Sequence, residues 1–191
     1  MAGTDTVSDP LPTSLSLLSR LRDADNSSGW QHFVEIYGAL MHRVAVRAGL
    51  REDEARDVVQ EAMIDVARQM PTFQYDGKRG SFKGWLYIIV RRRLIDYWRK
   101  MDRRPSTDDL EPKVDDAWTQ EWEQHALSLA LEQVRKDVPA IQFQAFDLHV
   151  LKGRPVAEVS RRLGVSSAAV YWAKYSISRR LRKLISKIER G

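Results

Sequence analysis

Between residues 82 and 100 the chain places Phe82, Trp85, Tyr87, Tyr97 and Trp98 among Lys83, Arg91, Arg92, Arg93, Arg99 and Lys100. Aromatic rings beside a cationic track are what holding unstacked bases requires, with stacking worth about 1–3 kcal/mol per base. Trp85 as plain core filler satisfies the same pattern. Three successive arginines cannot share one direction, because each residue turns a helix by about 100°. Arg92, Arg99 and Arg103 recur at steps of seven and four and are expected outward. Arg93 is expected to pair with Asp96, and Asp96 with Lys100. Phe82, Leu86, Val90, Leu94, Tyr97 and Met101 make the expected buried line of this helix, with Trp85 and Trp98 off it.

Other elements must hold this segment in place, and helical spacing dominates them. Trp30, Phe33, Tyr37, Leu40 and Val44 form one stripe that stops at Gly49. Asp53 is expected to cap a second helix whose stripe is Ala55, Val59, Ala62, Val66 and Met70. A short helix near 14–23 precedes both, and 72–80 reads as a loop before a cap at Ser81. Residues 103–116 hold two prolines, many acids and no periodicity, so a flexible acidic linker is expected over 103–121. Helices resume near Trp118 or Trp122. No strand alternation persists, so the chain reads as all-α, in two helical domains.

Charge follows the same division. Residues 1–77 carry 7 basic and 12 acidic side chains, 78–104 carry 10 and 2, 105–125 carry 1 and 7, and 126–191 carry 13 and 5. Two basic blocks around an acidic spacer suggest two contacts with a polyanion, or two solvated faces. The chain has no cysteine, which excludes disulfides and thiolate metal sites. No apolar run reaches the length of a membrane span, and the opening residues do not resemble a signal peptide. A cytoplasmic protein without membrane insertion is expected. His32, His42, His125 and His149 show no ligand spacing and no Gly-rich phosphate loop appears, so neither an enzyme nor a metal or other cofactor is expected.

The second basic block, 155–184, reads as a helix-turn-helix. Pro155 suits a first helical position, Ala157 a close helix crossing, and Gly164 a turn with positive φ. Val165 can plug the core and Ser166 can cap the second helix. Val170, Ala173, Ile177, Leu181, Leu184 and Ile188 form its buried stripe, with Ala168, Tyr171, Lys174, Tyr175, Ser178 and Arg182 opposite. Trp172, at the stripe's edge, is expected against a neighbouring helix. Such a helix would offer its first turns to base edges in a major groove, while Lys174, Arg179, Arg180, Arg182 and Lys183 reach phosphates.

The run 57–100 resembles region 2 of bacterial RNA polymerase sigma factors, in the small extracytoplasmic-function (ECF) group. The matching residues are Asp57, Val59, Gln60 and Glu61, then Arg79 to Phe82, Trp85 and Leu86, then Ile95, Asp96 and Arg99. The helix-turn-helix is similar to sigma region 4. The resemblance implies a region 2 helical bundle over 13–102, an acidic linker over 103–121 and region 4 over 122–188. It implies docking on the clamp helices of the largest subunit of core RNA polymerase through Asp57, Val58, Gln60, Glu61 and Ile64. It implies melting of the promoter −10 element by residues 73–84 and the following helix, through Lys83, Trp85, Arg91, Arg92, Trp98, Arg99 and Arg103. It implies reading of the −35 element by Ser166, Ser167, Ala168, Tyr171, Trp172, Lys174, Tyr175 and Arg179, with region 4 also meeting the flap of the second-largest subunit. Many relatives carry Asn at Arg92, and more Arg and Lys at the start of the recognition helix. The family often has an anti-sigma partner. A stand-alone helix-turn-helix regulator is the alternative.

Overall fold

The computed structural model describes residues 15–23, 26–73, 81–101 and 107–190. Among them every regular element is helical: α1 (Leu15–Leu21), α2 (Ser27–Arg47), α3 (Glu52–Gln69), α4 (Phe82–Lys100), α5 (Thr107–Asp137), α6 (Ala140–Phe146), α7 (Val156–Leu163) and α8 (Ser167–Arg190). A 3-10 turn, Met70–Thr72, extends α3, and a π turn, Asp147–Leu151, follows α6. Packing separates two units. The first holds the described residues up to His125 and the end of α8 from Ile188; the second holds Ala126–Lys187.

In the first unit, α2 starts where the Asn26 side chain accepts the Gly29 backbone N–H at 2.9 Å. Its stripe of Phe33, Tyr37, Leu40, Met41 and Val44 is fully buried. The helix ends before Gly49, at φ 107°. On α3 the cap is made by Glu54 rather than Asp53: its carboxylate accepts the Arg51 backbone N–H at 2.9 Å. Three acids in the first turn favour the positive end of the helix dipole. The buried face of α3 passes through Val58, with Val59 half-exposed. Ser81 caps α4, accepting from Gly84 N–H at 3.1 Å.

Two further expectations change in this unit. Trp98, only 8% exposed, ends the buried line of α4, while Tyr97 is half-buried and Met101 exposed. The larger, less polar ring takes the inward position, and the phenol keeps access to water. The span expected as an irregular linker is helical from Thr107 onward. Val114, Ala117, Trp118, Glu121, Trp122 and His125 recur at steps of three and four and are all buried. This stripe anchors the helix despite Pro112, which removes one N–H from its interior.

The second unit is built around Ala145, Val159, Val170 and Ala173, with Leu148, Val156, Leu163 and Val165 against them. The helix-turn-helix is present. Gly164 lies at φ 65°, and the Ser166 hydroxyl caps α8 by accepting the Ala169 N–H at 3.1 Å. Ala157 is exposed and marks no crossing; Val156 and Val159 carry the contacts of α7 instead. A Cβ at position 164 would meet nothing within 4 Å, so Gly164→Ala isolates backbone strain. It is expected to cost about 1 kcal/mol, read as a fall in the urea midpoint of this unit.

Candidate polymerase and nucleic-acid interfaces

On α3, Asp57, Gln60 and Glu61 face outward with Ile64 beside them. Val58 does not join them: at 3% exposure it belongs to the core. Asp65 is also withdrawn from the acidic face. Arg93 of α4 donates to both its oxygens, from Nε and Nη2, at 2.6 Å each. That fork, outweighing burial, holds the Asp65 carboxyl below its ordinary range and raises the Arg93 guanidinium. Glu61 lies 3.4 Å from the same guanidinium but stays exposed. Arg93 thus locks α3 to α4, instead of pairing with Asp96 as its spacing suggested.

α4 presents two cationic faces. The open one carries Arg92 and Arg99, 75% and 68% exposed, with Asp96 about midway at 4.0 Å from each. Ile88 stands exposed on the same side. Ile88 lies two residues from both Leu86 and Val90 of the expected buried line, a step that turns it to the opposite side of the helix. Trp85 is half-buried, its ring 4.5 Å from Phe73 and 5.6 Å from Phe82. Its inner edge is fixed by packing while the rest reaches the surface. Trp98, being buried, presents no ring to a strand. Arg103 and residues 74–80 of the expected loop lie outside the described residues.

The other face of α4 meets α5. Lys83 Nζ sits 5.6 Å from the Trp122 ring centroid, a cation–π distance. The Tyr87 hydroxyl donates to Asp115, and Arg91 Nε lies 4.0 Å from the same carboxylate. The Tyr87 and Trp118 rings are 5.6 Å apart. Lys83 and Arg91, expected on promoter DNA, therefore meet residues of α5, whereas Arg92 and Arg99 stay exposed beside Asp96 of their own helix. Behind this contact Glu121 receives Arg43 and Arg47, each at 2.8 Å.

On α8, the residues opposite the buried stripe face solvent within the second unit, apart from the half-buried Ser178. Ser166, Ser167, Ala168, Lys174 and Arg179 are exposed. Tyr171, Trp172 and Tyr175 are 58%, 61% and 56% exposed, with the Trp172 and Tyr175 rings 6.1 Å apart. The expected packing of Trp172 against a neighbour is not found. At a step of four from Ala168 it points away from the Val170–Ala173–Ile177 stripe.

The family model for sigma-70 region 2 matches residues 33–104, which span α2 to the end of α4. The chain is 24% identical over 181 residues to the ECF RNA polymerase sigma factor SigE of Mycolicibacterium smegmatis, covering 92% of this chain and 69% of that one. It is 28% identical over 141 residues to the ECF sigma factor SigF of Caulobacter vibrioides, covering 72% and 73%. It is 26% identical over 153 residues to the ECF sigma factor SigM of Mycobacterium tuberculosis, covering 79% and 74%. The alignments with SigE and SigM run well beyond the region 2 match in length. Residues 33–104 therefore carry a sigma-70 region 2, and the chain, helical in every regular element among the described residues and with a helix-turn-helix beyond that region, is similar to ECF sigma factors of bacterial RNA polymerase.

Proposed function

We propose that this protein is a sigma factor that docks on core polymerase through the outer face of α3 and opens the −10 element with the open face of α4. In the same reading α8 addresses the −35 element. The protein acts in the cytoplasm without a catalytic step of its own. The observation that carries the reading is the pairing of opposite charges on adjacent helices. Asp57 and Glu61 point outward from α3, Arg92 and Arg99 outward from α4, and the Arg93–Asp65 fork fixes the two helices to each other. A protein partner and a nucleic-acid strand can then be engaged at once. An anti-sigma protein belongs to this reading as a competitor for the acidic face. No described helix is long and apolar enough to cross a membrane.

Run-off transcription from a genomic promoter library, with core polymerase plus this protein, tests the reading; start sites no different from core alone would reject it. Asp57→Ala combined with Glu61→Ala is expected to weaken polymerase binding about tenfold in a pull-down titration, with helical content unchanged. Tight specific duplex binding without polymerase would instead favour a stand-alone regulator built on the helix-turn-helix.

A further inference from the structure

Resting on the assignment of α8 to the −35 element, we propose that this helix selects promoters through thymine methyl groups rather than by pairing with guanine or adenine. From Leu163 to Ser178 the chain holds no Arg, Asn, Gln, Asp or Glu, and its one Lys is Lys174. Those absent types make the bidentate contacts that distinguish guanine, adenine and cytosine in the major groove. Lys174 lies about 120° around the helix from Ala168, at the rim of the face, where a phosphate is within reach. What the face does present is Ala168, Trp172 and Tyr175 at its centre and Tyr171 at its side, all exposed. The one apolar feature of the major-groove floor is the thymine 5-methyl group, and rings and methyl side chains are its complement.

Charge identifies DNA as the occupant of this apolar face. No acid occurs from Val159 to Ile188, while Arg161, Arg162, Arg179, Arg180, Arg182 and Lys183 are all exposed there. A rim of unopposed cations around an apolar centre matches a duplex groove flanked by phosphates. The cations set affinity and register, and the rings supply the discrimination.

The test uses holoenzyme assembled from core polymerase and the full chain. Upstream elements are selected from a duplex library randomised around −35, and the winners are resynthesised with deoxyuridine for each thymine or 7-deazaguanine for each guanine. Adjacent thymines are expected among the winners. Each critical deoxyuridine should weaken binding about three- to tenfold, and 7-deazaguanine less than about twofold, in line with the cost of losing a base contact. Trp172→Ala, at an exposed position, should erase part of the deoxyuridine effect and leave the salt dependence intact. Winners that tolerate deoxyuridine but not 7-deazaguanine overturn the methyl readout while sparing the −35 assignment. Efficient initiation with no enriched upstream element overturns both.

Discussion

Trp122→Ala is expected to destabilise the first unit by about 3–5 kcal/mol, the range for deleting a large buried aromatic. The indole is fully buried. It is stacked between Trp118 at 5.4 Å and Tyr37 at 6.4 Å, with the Lys83 ammonium over its ring. Its neighbour Glu121 joins α5 to Arg43 and Arg47 of α2. Truncation would leave a cavity bounded by three helices and loosen the register that the ion pairs need. Urea unfolding followed by near-ultraviolet circular dichroism should show the transition of the first unit at lower urea, and that of the second unit unmoved. Trp172→Ala supplies the contrast: an exposed ring, with an expected change within about 0.5 kcal/mol. If the two variants melt alike, the first half of α5 is not part of the first unit's core. The same packing means that a region 2 fragment ending at residue 102 lacks part of its own interior, and one carried through His125 keeps it.

Much of the fold was legible because apolar residues at steps of three and four leave few alternatives. The stripes of α2 and α8, with only Trp30 and Leu184 left half-buried, the Ser81 and Ser166 caps and the left-handed Gly164 all follow from residue type and spacing. The first half of α5 was hidden by composition. Seven acids and two prolines between 105 and 125 read as a spacer, although Val114, Trp118, Trp122 and His125 mark one helical face. Apolar spacing outweighed composition there, because burying two indoles and a valine offsets the cost of ordering a polar helix. The site was legible in part for a related reason. Sequence spacing tells which residues share a face, but not which face a neighbouring helix covers. Arg92 and Arg99 share a face that remains open, whereas Lys83 and Arg91 share one that α5 occupies. Arg93 was misassigned because its partner, Asp65, lies 28 positions away, beyond any local rule.

The melting temperature of the first unit is expected to fall as pH drops from 7 to 5, with His125 as the cause. The imidazole is 7% exposed, 5.5 Å from the Tyr37 ring and 6.3 Å from the Trp122 ring. Its Nε2 has no hydrogen-bond partner among the described residues. Burial, aided by the charge of Arg43, lowers its pKa from 6.5 to about 4. The folded unit therefore holds this group neutral where the unfolded chain would protonate it. Stability is complete above about pH 6.5 and is lost as pH falls toward 4, because the unfolded state binds the extra proton. By pH 5 the loss is about 2 kcal/mol, or roughly 4–8 °C in melting temperature. The carboxylates contribute in a different window. Burial raises the Glu121 pKa, but hydrogen bonds from Arg43 and Arg47 outweigh it, and Asp65 is lowered by Arg93. Both titrate below their ordinary values, so their contribution disappears only in stronger acid. His125→Leu removes the proton site and leaves no donor or acceptor to satisfy, so its melting temperature should be nearly level between pH 7 and pH 5. Wild-type and variant curves that stay parallel through that interval would show that the acid sensitivity of the unit resides elsewhere.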